Sequence, residues 1–192
     1  MISIDSKLYN GLVLLVQLVV LNFLFYITSI PLLSIPLGIL YLCRCIINIV
    51  EDKKMLDGIR LTKQIWMQFG LVAIVSYFSV YSVYSLLLQS ASYVNLLLAS
   101  FIISFNLIAY ILIQLYDTGI MNILRASFMY SIVYFYKSVL LIFLFMFIGM
   151  VIWEKVPILF IVGLLSAYFY IFIKLNYNTL LKLDARVIAN VK

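Results

Sequence analysis

Residues 21–46 read LNFLFYITSIPLLSIPLGILYLCRCI, and this stretch decides the architecture. It is almost wholly apolar, is interrupted by Pro31 and Pro36, and reaches its first charge only at Arg44. It belongs to a longer apolar run over 8–43, too long for one straight bilayer span, which needs about 20 residues. The run also exceeds the apolar core of a secretory signal, and no small-residue cleavage site follows it. Proline removes a backbone donor and steers the preceding residue away from helix. Ser29-Ile30-Pro31 and Ser34-Ile35-Pro36 therefore predict the turn of a helical hairpin, with one span over 8–29 and the next over 32–49. The alternative is one long span followed by a re-entrant or interfacial piece.

Composition points the same way. The 192 residues are 67% hydrophobic and 10% charged, with a mean hydropathy of +1.20. Soluble domains are about half apolar and about a quarter charged. A water-soluble fold of this size could not hide so much apolar surface. The expected class is all-α, a polytopic membrane helix bundle forming a single integral domain over 1–192, with the lipid bilayer as its main partner. The net charge of +6 reads as basic residues flanking spans rather than as a nucleic-acid surface. Cys43 and Cys45 stand one residue apart, a poor disulfide geometry on a helix, and the sequence holds no histidine. Neither a zinc site nor any other cofactor site is expected.

Beyond the hairpin, residues 51–63 (EDKKMLDGIRLTK) form the densest charge cluster, with a break at Asp57-Gly58. A short interfacial helix over 59–69 is expected, with Trp66 at the membrane surface. Span three follows over 69–89, with serines at 76, 79, 82 and 85 and tyrosines at 77, 81 and 84. A three-residue period drifts around a 3.6-residue helix, so these predict no single polar stripe. Gln89-Ser90-Ala91-Ser92 makes a turn, and span four covers 93–116. After a break at Asp117-Thr118-Gly119, residues 120–136 predict an interfacial helix leading into span five, 138–153. Glu154-Lys155 and Pro157 make the next turn. Span six covers 157–176, and a polar, basic tail ends the chain.

Lysine and arginine gather on the cytoplasmic side of membrane proteins. With six spans, Lys7, Arg44, Lys53, Lys54, Arg60, Lys63, Arg125, Lys137, Lys174, Lys182, Arg186 and Lys192 share one face, leaving Lys155 opposite. With five spans only Lys7 changes side. Both counts put the 50–68 loop, the 117–137 segment and the C-terminus in the cytoplasm, and six spans put the N-terminus there too.

No enzyme is expected. Asp5, Glu51, Asp52, Asp57, Asp117, Glu154 and Asp184 all avoid the span centres, and neither a phosphate loop nor a nucleophile elbow occurs. Proton relays within membranes use buried Asp, Glu or His, which the spans lack. Their uncharged polar residues are Gln17 and Asn22 in span one and Asn95, Ser100, Ser104 and Asn106 in span four. These read either as interhelical hydrogen bonds or as the lining of a cavity for a small neutral ligand. Gly163 and Ala167 form a small-xxx-small pair that lets another helix approach closely. Arg44 reads as a snorkelling residue or as a partner for an acid elsewhere.

Asn22-Phe23-Leu24 running into Ile30-Pro31, then Ile35-Pro36-Leu37-Gly38-Ile39-Leu40-Tyr41, resembles the opening of the YesL-like family, bacterial membrane proteins with a domain of unknown function. Gln64-Ile65-Trp66-Met67-Gln68-Phe69 is similar to that family's amphipathic lead-in. Ile123-Leu124-Arg125-Ala126-Ser127-Phe128-Met129-Tyr130 resembles its cytoplasmic helix. The resemblance runs from about Lys7 to Leu183. It implies a multi-pass protein often encoded beside sugar importers and polysaccharide-degrading enzymes, and it carries over no catalytic residue.

Three functions fit these expectations. The first is an accessory component of a membrane assembly concerned with carbohydrate uptake, with permease subunits as partners. The second is the substrate-binding membrane subunit of a vitamin importer of the energy-coupling type; the AxxxA pairing motif expected in its first span is missing around Gly11. The third is a bacteriocin-immunity-type protein.

Overall fold

The computed structural model of the protein describes residues 7–29, 35–56, 63–89, 92–116, 118–157 and 163–187. Among them lie seven α-helices and no strand: α1 (Lys7–Thr28), α2 (Ile35–Val50), α3 (Lys63–Gln89), α4 (Tyr93–Leu115), α5 (Ile120–Val133), α6 (Phe135–Lys155) and α7 (Leu165–Val187). Leu8–Thr28, Tyr93–Leu115 and Phe135–Lys155 are long and apolar enough to cross a membrane.

Several boundaries differ from the expected ones. The turn containing Pro31 and the breaks at Asp57-Gly58 and Asp117 lie outside the described residues. Pro36 is not at a turn but in the first turn of α2, where its missing N–H would have no intrahelical acceptor anyway. The interfacial helix expected before span three does not stand apart: Lys63–Gln89 is one helix of 27 residues, about 40 Å long. Gly70 is the only helix-weakening residue near that junction, and open space surrounds it. A break does separate α5 from α6, at Tyr134 (φ −108°, ψ 23°), and α6 starts at Phe135 rather than 138. Neither proline nor glycine marks that break. The expected polar tail continues as helix to Val187, because its Leu, Lys, Ala and Arg are good helix formers.

The chain divides into two compact units, one of residues 1–58 and 147–173, the other of 59–146 and 174–192. In the first, α1 packs on α2. Most of α2 is enclosed: Leu40, Leu42, Cys43, Cys45, Ile46 and Ile47 are all buried. Gly38 permits the close approach, since a Cβ there would lie 2.8 Å from Ser29 Oγ, 3.0 Å from Thr28 Oγ1 and 3.2 Å from Phe25 Cδ2. The helix ends in a Schellman motif, with Asp52 N–H bonded to Ile49 O and Lys53 N–H to Asn48 O. Asp52 takes the left-handed position (φ 56°) that glycine usually fills. The buried Asn48 side chain donates to Met55 O and holds the following loop.

In the second unit α4 is central, packed on α3 and α5. Leu107 through Ile113 are buried without interruption, so this part of α4 is covered all round. Ser92 caps its start, accepting from Asn95 N–H at 3.3 Å.

Each unit reverses the soluble pattern. Asn22, Asn48, Ser100, Ser104, Ser127, Ser131, Ser138, Ser166 and Asn176 are buried, while Leu8, Phe78 and Phe147 are among many large apolar side chains left exposed. The same inversion holds within α5. Ile123, Ser127, Tyr130 and Ser131 face inward, and the expected periodic residues Met121, Phe128 and Ile132 face out. In water such an exterior would aggregate; against hydrocarbon it is the favourable arrangement.

Candidate functional site

The polar residues of the helix interiors form two groups, one in each unit. In the first unit Asn22, fully buried on α1, accepts a 3.2 Å hydrogen bond at Oδ1 from the Ser166 backbone N–H. Ser166 Oγ donates to Leu18 O at 2.7 Å and lies 3.1 Å from Gly163 O. The helix is π-wound at Gly163 and Leu164, immediately before α7. A foreign side chain reaching the backbone ladder is one recognised cause of such a local change. A Cβ on Gly163 would meet only Val19 Cγ2, at 4.0 Å. Gly163 therefore faces α1, while Ala167 is half-buried on the next turn. Gln17 is also half-buried on α1.

In the second unit Ser76 of α3 meets α4. Its Oγ lies 2.8 Å from Val72 O, 3.0 Å from Asn106 Oδ1 and 2.9 Å from the Tyr110 hydroxyl. Asn106 Nδ2 donates to Ile102 O at 2.8 Å, which turns its carbonyl toward Ser76. Ser76 has one proton, so the arrangement closes when Tyr110 donates to Ser76 and Ser76 donates onward. Ser100 donates back to Leu96 O. Ser104, on the same helix, is buried with no hydrogen-bond partner among the described residues. Asn95 sits half-buried in the first turn of α4.

A further set of bonds ties α5 and the residues around it to the C-terminal half of α7. Tyr130 donates to Asn176 Oδ1 at 2.9 Å, Tyr116 to Leu180 O at 3.1 Å and Lys137 Nζ to Leu175 O at 2.7 Å. Burial pushes the Tyr130 phenol well above its ordinary pKa, and neighbouring Tyr134 adds to the rise. Their rings sit 4.6 Å apart.

The structure thus gives Asn22 and Asn106 separate partners, each within its own unit. Sequence reasoning missed Ser76, Tyr110, Tyr130, Ser166 and Asn176. Ser166 lies between the two small residues singled out at 163 and 167, and that position was its one available signal. Cys43 and Cys45 are free thiols, both buried. Among the described residues no group of three or more His, Cys, Asp or Glu could hold a metal ion. The chemistry this arrangement supports is hydrogen bonding between helices.

No family model, no curated protein and no solved structure matches this chain.

Proposed function

We infer that this chain is a non-catalytic component of a membrane assembly in a bacterial cytoplasmic membrane. The observation that carries the reading is the inversion of polarity: apolar residues cover the exterior, and the interior amides of Asn22, Asn106 and Asn176 bond to neighbouring helices. Polar groups committed to helix packing serve assembly rather than turnover. Six crossings, by α1, α2, α3, α4, α6 and α7, with α5 at the cytoplasmic edge, agree with the gathering of basic residues on one side. α2 spans only about 24 Å, and its enclosure by protein lets it cross without matching the lipid thickness. The association with carbohydrate uptake is supported by the YesL-like resemblance of residues 22–41, 64–69 and 123–130.

Affinity purification from gently solubilised membranes, followed by native mass spectrometry, tests the role. Co-purifying permease subunits are the expected result. A tightly held small neutral molecule with no protein partner would overturn it in favour of the vitamin-importer reading. Thiol labelling of Lys53→Cys, Arg125→Cys and Lys155→Cys in intact cells tests the topology. Only position 155 should react with an impermeant reagent.

A further inference from the structure

The outer face of α3 differs from those of the other long apolar helices. On α1 the exposed side chains between Tyr9 and Tyr26 are aliphatic or phenylalanine; on α6 those between Tyr136 and Trp153 are aliphatic, methionine or phenylalanine. Each pair of polar-tipped rings is 17 residues apart, about 26 Å of helix, close to the hydrocarbon thickness of about 30 Å. These faces suit lipid, with amphipathic rings only where water begins. On α3 the exposed residues Ile74, Tyr77, Tyr81, Tyr84 and Leu88 follow one another at spacings of three and four, the seam of a left-handed helix pair. Phe78 and Val80 flank the seam, and the other side of the helix holds Ser76 against α4.

Tyr81 is 70% exposed and Tyr84 61%, and neither hydroxyl bonds to any described residue. Tyr81 lies eight residues, about 12 Å, from the Gln89 end of the helix, which puts it near mid-membrane when α3 crosses. A phenol facing hydrocarbon there would leave its hydroxyl unsatisfied. Another polar surface at the same depth removes that penalty.

The seam itself indicates what covers it. Residues 64–116 contain no charged side chain, so recognition rests on shape and hydroxyls. A tyrosine hydroxyl both donates and accepts, so it can bond to its own copy. Copies inserted with the same orientation pair about a twofold axis along the bilayer normal, which brings identical residues together at one depth. We propose that α3 is the contact between two copies of this chain, packed along Ile74, Tyr77, Tyr81, Tyr84 and Leu88 with the Tyr81 hydroxyls bonded across the axis. The proposal rests on α3 being a membrane span.

Oxidative cross-linking in native membranes tests it. The native thiols are buried, so the unsubstituted protein is the blank. Tyr81→Cys and Tyr84→Cys should each give a reductant-sensitive band at twice the monomer mass, whereas Leu15→Cys on α1 and Phe147→Cys on α6 should not. No band from α3, equal bands from the control positions, or a link to a different protein overturns the proposal. Recovery of the protein outside the membrane fraction overturns the span reading instead. Light scattering of the detergent-solubilised protein is independent of whether the cysteine variants fold. The unsubstituted chain should be dimeric, and Tyr81→Phe/Tyr84→Phe monomeric with unchanged helical circular dichroism. A monomeric unsubstituted chain, or a dimer unaffected by the double substitution, overturns the hydroxyl-paired contact.

Discussion

Asn22 Oδ1 accepts the backbone N–H of Ser166 across 144 residues of sequence, while the Ser166 hydroxyl returns a 2.7 Å bond to Leu18 O in the turn before Asn22. Two bonds between the same helical turns fix both the rotation and the height of α1 against the 163–173 segment. Asn22→Leu keeps the volume and removes the acceptor. We expect a loss of about 1 kcal/mol, the scale of interhelical hydrogen bonds in membranes, measured by reversible unfolding in mixed micelles.

The α1–α2 contact is limited by Gly38. A methyl group there would press on Ser29 Oγ, Thr28 Oγ1 and Phe25 Cδ2. Gly38→Ala should cost about 1–3 kcal/mol through overpacking. Ser29→Ala in the same chain should restore part of the loss, because it removes the nearest atom. An unfolding midpoint unchanged by Gly38→Ala would refute the close contact.

Asp52 occupies a left-handed backbone position that glycine adopts without a Cβ penalty. Asp52→Gly should raise stability by up to about 1 kcal/mol. The exposed Lys53–Glu51 ion pair beside it contributes little, so Glu51→Gln should leave the midpoint nearly unchanged.

Tyr130 supplies a pH dependence. In the folded protein its phenol stays protonated beyond its ordinary pKa, chiefly because it is buried. Above about pH 10 the unfolded chain releases that proton and the folded chain does not. Rising pH therefore favours unfolding, and stability falls through the alkaline range. Tyr130→Phe should reduce this alkaline loss while costing about 1 kcal/mol at neutral pH from the bond to Asn176. Unfolding midpoints of both proteins between neutral and alkaline pH provide the check.

Helix positions could be read along the chain wherever local signals were strong. α1 and α4 follow their apolar runs within a residue or two, because a span needs only length and hydropathy. The division at Tyr134 carried no local signal, since ordinary residues surround it and Tyr134 O accepts from both Lys137 N and Ser138 N. Prolines misled at Pro36, because the same residue that ends a helix is well tolerated in a first turn. On α3 the serines and tyrosines read together showed no stripe. In the structure Ser79 bonds back to Val75 O and Ser82 to Phe78 O, leaving the tyrosines on the outer face.

The sequence by itself determined that the chain is helical, which stretches are long and apolar enough to cross a bilayer, and how its basic residues are distributed. Those properties follow from hydropathy summed over neighbouring residues and need no knowledge of distant partners. Only the tertiary structure decided which side of each helix turns inward and what its polar groups bind. A helix satisfies its own backbone locally, but Asn22 and Ser166, or Tyr130 and Asn176, find each other through packing between segments far apart in the chain.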